Sequence, residues 1–158
     1  MPIPTLYIES SVIGGYHDEP WQRVHTRLLW SLFEADPPKV RFVTGAHTKG
    51  ELDRGAPQNV HDIYNETFRP DMLVDITDEI RALARAYIRR KDLPPGCFDD
   101  ALHVAAATVK GVDFLLSWNH RHHTAEKRRA AYNATNRLHG YGPVHIVDPE
   151  DFINEHEN

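Results

Sequence analysis

The chain has 158 residues, a length that suits one domain whose sheet is covered by helices on both faces. Apolar residues make up 41% and charged residues 26%, both ordinary for a globular protein, and no apolar run approaches the ~18 residues of a membrane span. The formal net charge of −5 argues against a protein that coats nucleic acid through a broadly basic surface. It leaves open an acidic site that reaches phosphate through metal ions.

Cys97 is the single cysteine, which excludes an internal disulfide and fits a reducing compartment. The opening residues, MPIPTLYIE, lack the basic segment and the long apolar core of a signal peptide. We therefore expect a cytoplasmic protein that folds as one domain over residues 1–158.

Short apolar runs alternate with segments of helical periodicity along the chain. Strands are predicted at residues 4–9, 40–44, 72–76, 112–117 and 144–147. Helices are predicted at residues 21–34, 45–54, 59–68, 78–91, 99–110 and 124–139, with Thr77 as the N-cap of the fourth. Trp21 and Trp30 lie at helical spacing and are predicted to be core residues. The alternation predicts an α/β fold with a mainly parallel sheet between two layers of helices.

The stretch from Phe98 to His123, FDDALHVAAATVKGVDFLLSWNHRHH, combines three features. It opens as a helix with two carboxylates, continues as a buried strand and ends in a polar turn rich in Asn and His. Ligands of open α/β sheets bind outside the carboxyl ends of the strands. A functional site is therefore predicted at that edge of the sheet.

The segment DDALHVAAATVKGVDFLLSWNHRH resembles the third- and fourth-motif region of PIN-domain ribonucleases, a family that includes VapC-type toxins. Near the start of the chain, LYIESSVIGGY resembles the first motif of the same family, usually a strand ending in Asp-Thr-Ser or Asp-Ser-Ser. The resemblance extends from Leu6 to about Pro149, and its middle part is weak. It implies a three-layer α/β/α PIN-like fold and a metal-dependent endoribonuclease.

Phosphodiester hydrolysis needs an activated water and relief of negative charge at phosphorus, which clustered carboxylates provide by holding Mg²⁺ or Mn²⁺. Glu9, Glu51 and Asp100 match acidic positions of the family, and the resemblance implies that they are catalytic metal ligands. Glu9 departs from the usual Asp, and its extra methylene moves the carboxylate outward by about one bond length. Asp99 diverges from Asp100 by about 100° on a helix, so it is interpreted as a helix cap or a supporting acid.

Asn119 lies where many family members carry the Asp of a Thr-x-Asp motif. It can ligate through its carbonyl or orient a water, so it is included among the catalytic candidates, but it adds no charge and predicts weaker metal affinity. Ser10 and Ser117 flank the expected centre and are candidates for hydrogen bonds to carboxylates or phosphate. Both are equally consistent with ordinary turn serines.

Arg121, Lys127 and Arg128 form a basic rim that is a candidate for binding substrate phosphates, the alternative being a solvated helix face. His103 follows Asp100 by three residues, and we interpret it as a structural residue able to hydrogen-bond that carboxylate. The histidines at 120, 122 and 123 match no standard zinc spacing, and no cysteine pair lies nearby. No thiol nucleophile is expected at Cys97.

Two functions compete at this point. The first is an endoribonuclease whose resemblance to VapC-type toxins implies an RNA substrate, a cognate antitoxin and a homodimer. The alternative, motivated by Glu9 and Asn119, is a weakened or inactive PIN-fold module that binds RNA or a protein partner. A metal-dependent phosphatase or DNA nuclease built on the same cluster is a third, weaker possibility.

Overall fold

The computed structural model describes residues 2–156 and has a five-stranded, all-parallel sheet at its centre. The strands are β1 (Thr5–Ile8), β2 (Arg41–Gly45), β3 (Leu73–Val74), β4 (Phe114–Leu116) and β5 (Ile146–Val147). Their order across the sheet is β3-β2-β1-β4-β5, so the first strand of the chain is the central one. Met1, Glu157 and Asn158, which the predicted domain includes, lie outside the described residues.

Within residues 2–156, eight α-helices surround the sheet. They are α1 (Ser10–Gly15), α2 (Pro20–Glu34), α3 (Thr48–Asp53), α4 (Gln58–Thr67), α5 (Asp78–Arg89), α6 (Phe98–Lys110), α7 (Glu126–Leu138) and α8 (Pro149–His156). A 3₁₀ turn (Pro70–Met72) precedes β3, and a π-helical turn (His120–Thr124) follows β4. No helix in this part of the chain is both long and apolar enough to cross a membrane.

Alternate residues of β1 divide the core into two halves, one on each face of the sheet. Leu6 and Ile8 pack on the side of α1–α4 and α8, whereas Tyr7 packs on the side of α5–α7. All three side chains are fully buried. Burial of each such side chain contributes roughly 1.5–3 kcal/mol, so the two cores fix β1 and the residue that follows it. The predicted three-layer α/β/α fold with a parallel sheet is confirmed.

Helix α6 packs closely between the sheet and α5 because its buried side is made of small residues. Ala101, Ala105 and Ala106 are fully buried there. Gly111 ends the helix with φ 73°, in the left-handed region that glycine adopts most readily. At the start of α5, the Thr77 hydroxyl accepts the N–H of Ile80 at 3.2 Å, which confirms the predicted N-cap.

Two sequence predictions fail in helices. Trp21 was expected in the core, but it is 58% exposed, because α2 turns its Leu29 and Trp30 side inward and leaves Trp21 beside His25. The acidic end of the chain was not predicted to be helical, yet it forms α8, which buries Phe152 against α2 and the sheet.

Candidate metal centre

The predicted ligands come from three separate parts of the fold. Glu9 follows β1, Glu51 lies on α3, and Asp100 lies in the first turn of α6. Ser117 directly follows β4, which is the parallel neighbour of β1. Because neighbouring parallel strands end at one edge of a sheet, Glu9 and Ser117 meet there.

The Glu9 carboxylate is enclosed by serines and is only 3% exposed. Its Oε2 accepts the Ser10 hydroxyl at 2.8 Å and the Ser11 N–H at 3.2 Å. Its Oε1 accepts the Ser117 hydroxyl at 2.8 Å and the Ser11 hydroxyl as well. Burial alone would raise the pKa of Glu9, but His123, His103 and these hydroxyls lower it to about 2. The side chain is therefore a buried anion held by four hydrogen bonds.

His123 joins Glu9 to Asp100. It is fully buried, and its Nδ1 lies 2.9 Å from the Ser117 hydroxyl and 3.9 Å from Glu9 Oε1. Its Nε2 lies 4.0 Å from Asp100 Oδ1. One potential ligand atom from each of Glu9, Asp100 and His123 lies within 4.8 Å of the other two, a spacing that can hold a metal ion. His123 was not among the predicted site residues, and its position depends on the π-helical turn.

The second carboxylate oxygen of Asp100 faces His122. His122 Nδ1 lies 2.8 Å from Asp100 Oδ2, and the Cys97 sulfur lies 3.8 Å from both ring nitrogens of His122. Burial, and then the charge of Asp100, raise the pKa of the Cys97 thiol against the opposing charges of two nearby arginines. A raised pKa disfavours the thiolate, which argues against a nucleophilic role for Cys97.

Asp99 lies outside this cluster. Its carboxylate pairs with the guanidinium of Arg54 at 2.5 Å, across the surface between α6 and α3. The N-cap of α6 is Cys97, which makes no side-chain capping bond. Asp99 is therefore not the helix cap that the sequence suggested.

Glu51 is held by a buried histidine. His103 Nε2 lies 2.5 Å from Glu51 Oε1, and His103 Nδ1 lies 2.7 Å from the Tyr7 hydroxyl. The expected hydrogen bond from His103 to Asp100 is replaced by these two, because the ring is directed toward α3 and β1. Burial favours neutral His103, but the hydrogen bond to Glu51 and the charges of Glu51, Glu9 and Asp100 raise its pKa. Glu51 thus lies beside His103, whereas Glu9 and Asp100 lie beside His123.

His47, which directly precedes α3, also faces Glu51. Its Nε2 lies 3.8 Å from Glu51 Oε1, and its ring centroid lies 4.2 Å from that of His103. Burial and the neighbouring His103 lower the pKa of His47 to about 3, against weaker opposite effects from the Asp99 backbone and Glu9. Sequence reasoning missed this residue, although its position four residues before Glu51 on a predicted helix was a usable signal.

Asn119 has a structural contact that the sequence does not reveal. Its side-chain oxygen accepts the N–H of His122 at 2.9 Å and so caps the π-helical turn. Together with Ser11 and Trp118 it lines a cleft of about 650 Å³ that extends toward α2 and α4. A second cleft, of about 390 Å³, lies on α5 around Tyr141, away from all predicted ligands.

The three residues of the predicted basic rim differ in exposure and in their contacts. Arg121 and Lys127 are exposed. Arg128 instead uses Nε and Nη1 to bind the backbone carbonyls of Arg121 and Asp92, at 3.1 and 2.5 Å. Arg128 therefore fixes the turn and the start of α7, and its guanidinium is less available to a phosphate than the sequence suggested.

The donor set fits a divalent cation. Carboxylates of Glu9, Glu51 and Asp100 supply hard oxygen ligands, and the histidines supply nitrogen. Glu9 already accepts four hydrogen bonds, so a serine hydroxyl would have to move before Glu9 could bind an ion. Asp100 is the less restrained carboxylate, since one of its oxygens contacts His122 and the other lies 4.0 Å from His123.

No protein-family model and no curated protein matches this chain. Among solved structures it is similar to one chain of the crystal structure of VapBC2 from Rickettsia felis bound to a DNA fragment from their promoter. The TM-score is 0.54 at 11% sequence identity, and the similarity covers 91% of this chain and 98% of that chain. At this identity the similarity concerns the fold, and it agrees with the PIN-like architecture.

Proposed function

We propose that this protein is a PIN-domain endoribonuclease that hydrolyses RNA phosphodiester bonds with Mg²⁺ or Mn²⁺. The observation that carries the proposal is the spacing of Glu9, Asp100 and His123, which come from three distant segments and whose potential ligand atoms lie within 4.8 Å of one another. The motif resemblance selects Glu9 and Asp100, and it also selects Glu51, which lies beside His103. The fold similarity to a chain of the VapBC2 complex supports the same family.

In this proposal Asp100 and His123 would hold the ion, and Glu9 would complete the site after one serine hydroxyl shifts. Glu51, the third predicted ligand, lies in a separate group with His47 and His103. The bound cation would lower the pKa of a water and offset negative charge on the phosphate. His123 lies between Glu9 and Asp100, which come from different segments, and His103 holds Glu51 in place. Asn119 acts indirectly, by capping the turn that carries His122 and His123.

Arg121 and Lys127 are proposed to position the RNA, since both are exposed on the π-helical turn and the adjoining α7. Arg128 contributes by fixing the backbone of Arg121. Ser10 and Ser117 serve mainly as donors to Glu9. A preference for RNA over DNA is part of the proposal and rests on the resemblance to PIN-domain ribonucleases.

A toxin role with a cognate antitoxin is proposed from the resemblance to VapC-type toxins and the similarity to a chain of VapBC2. Exposed apolar side chains on α2, Trp21 at 58% and Val24 at 53%, offer a surface for a protein partner. A homodimer and a cytoplasmic location remain predictions.

The second candidate is a module that binds RNA or protein without cleaving. The low exposure of Glu9, its four hydrogen bonds and the neutral Asn119 favour it. Such a protein would fold normally and bind RNA in EDTA as well as it does with metal.

Cleavage assays with the purified full chain separate the two candidates. We expect it to degrade a mixed RNA pool with Mn²⁺ or Mg²⁺ and to leave the RNA intact in EDTA. A DNA pool of matched lengths tests the substrate class. Absence of RNA cleavage with either metal, from a folded protein that still retains RNA on a filter, would favour the binding module.

A further inference from the structure

His47 is a mostly buried histidine whose ring lacks well-formed hydrogen bonds. Its side chain is only 14% exposed, both ring nitrogens are buried, and neither makes a well-formed hydrogen bond within residues 2–156. Leaving a buried donor or acceptor unpaired is costly, so an imidazole with two such atoms requires an explanation.

The residues around His47 provide an explanation for its unpaired ring. Its Nε2 lies 3.8 Å from Glu51 Oε1, and its ring lies 4.2 Å from the ring of His103. One potential ligand atom from each of His47, Glu51 and His103 lies within 4.8 Å of the other two. We call these three residues the His47 group.

His103 is oriented as metal-bound histidines are. Its Nδ1 contacts the buried Tyr7 hydroxyl at 2.7 Å, and this leaves Nε2 directed at Glu51. Metal-ligating histidines characteristically use one ring nitrogen for the ion and the other for a hydrogen bond that fixes the ring. Gly45 keeps the space open, because a Cβ there would come within 2.5 Å of both His47 Nδ1 and the Tyr7 hydroxyl.

We propose that the His47 group is a metal site of its own, selective for a transition-metal ion such as Mn²⁺, Co²⁺ or Zn²⁺ over Mg²⁺. Two imidazoles and one carboxylate are the donors of catalytic zinc and non-haem iron sites, which keep positions open for water or substrate. Mg²⁺ prefers oxygen ligands and retains its waters. The proposal goes beyond the nuclease function, because the site would bind its ion even in a protein that cleaves no RNA.

The test uses the other metal-binding groups as a control. Within residues 2–156, two further groups have metal-ligand spacing, Glu9–Asp100–His123 and Cys97–Asp100–His122, and both contain Asp100. Asp100→Asn therefore weakens both and leaves the His47 group intact. In that background, Co²⁺ binding to the full chain is measured by equilibrium dialysis, with and without excess Mg²⁺.

We expect Asp100→Asn to bind one Co²⁺ that excess Mg²⁺ does not displace, and His47→Gln added to it to weaken that binding at least tenfold. His61→Gln is the matched control, because His61 is also partly buried beside a carboxylate, 3.9 Å from Asp53, and lies outside the group. It should leave the affinity unchanged. Equal Co²⁺ affinity with and without His47 would overturn the proposal.

Pulsed EPR of Mn²⁺ bound to Asp100→Asn gives a second readout that needs no His47 variant, should His47→Gln fail to fold. Nitrogen couplings from imidazole ligands are expected, and a spectrum without them would refute the site. Both readouts are independent of activity, so loss of RNA cleavage alone tests the nuclease proposal and leaves this one standing.

Discussion

At the scale of single residues, Glu9 shows how an anion is kept inside the protein. Four hydrogen bonds and two buried histidines replace the water that its carboxylate would have in the unfolded chain. The folded pKa of about 2 lies below the ordinary value of 4.5. The group therefore stabilises the fold fully above the unfolded pKa and loses that contribution as pH falls toward the folded pKa.

Glu9→Gln tests this balance. We expect the unfolding free energy of the wild-type protein to fall by about 2 kcal/mol more than that of Glu9→Gln between pH 6 and pH 3. Urea denaturation at each pH gives both curves. Glu66→Gln, at an exposed glutamate, should follow the wild type. Parallel curves for wild type and Glu9→Gln would show that Glu9 is not a lowered-pKa anion.

Tyr7 tests the hydrogen bond that orients His103. Tyr7→Phe removes the hydroxyl and leaves a buried ring nitrogen without its partner. We expect a loss of about 1–3 kcal/mol in unfolding free energy, measured in urea. Tyr141→Phe removes a surface hydroxyl that donates to Glu79 and should cost much less. Equal costs for the two variants would contradict the account of His103.

At the scale of elements, the π-helical turn connects the end of β4 to the candidate centre. It carries His122 and His123, each of which contacts Asp100, and it begins at Asn119, which caps it. Residue spacing along the sequence does not reveal a π-turn, which explains why His123 was weighed only for zinc and Asn119 was assigned only to catalysis. The position of the candidate centre therefore depends on the backbone geometry of this turn.

Two substitutions at Asn119 separate capping from charge. Asn119→Asp keeps the acceptor for His122 and adds a carboxylate near the centre, so we expect Mn²⁺ to bind several-fold more tightly. Asn119→Ala removes the cap and should lower both stability, by about 1 kcal/mol, and RNA cleavage. Calorimetric Mn²⁺ titration and urea denaturation check these outcomes. Wild-type behaviour from both variants would remove Asn119 from the account.

Helices were predicted correctly where local sequence patterns determine them. The burial of a side chain was predicted wrongly where it depends on contacts with distant elements. Thr77 caps the start of α5 and Gly111 caps the end of α6, as expected, because caps depend on local sequence. Trp21 has the right spacing for the core, but the position of α2 relative to the sheet leaves it outside. Helix α8 had a local signal in the sequence, Asp148 followed by Pro149, and in the structure the Asp148 side chain caps the helix by accepting the N–H of Asp151.

At the scale of the whole molecule, the sequence pattern was sufficient for the parallel α/β/α architecture, because alternating strands and helices allow few other arrangements. It also selected Glu9 and Asp100, which the fold brings together beside His123, and Glu51, which lies beside His103. It could not give their partners. The approach of α3 to α6 joins His47 and Glu51 to His103 across more than fifty residues, and no spacing along the chain encodes that contact.

The clustered carboxylates of Glu9 and Asp100 make the acidic centre dependent on cations from solution. A phosphate approaching Glu9, Glu51 and Asp100 is repelled unless a cation lies between them. The protein therefore should bind RNA weakly at its centre without divalent metal, and the exposed Arg121 and Lys127 alone offer few phosphate contacts.

The comparison of Asp100→Asn with Asp99→Asn tests the central claim most directly. The two substitutions remove the same charge from neighbouring residues. Asp100 lies in the candidate centre, whereas Asp99 pairs with Arg54 at the surface. With Mn²⁺ and an RNA pool, we predict that Asp100→Asn loses cleavage by at least a hundredfold while Asp99→Asn retains most of it, an effect of about 2.7 kcal/mol on the barrier. Equal activity of the two folded variants would contradict the assignment of a metal-dependent nuclease centre at Asp100.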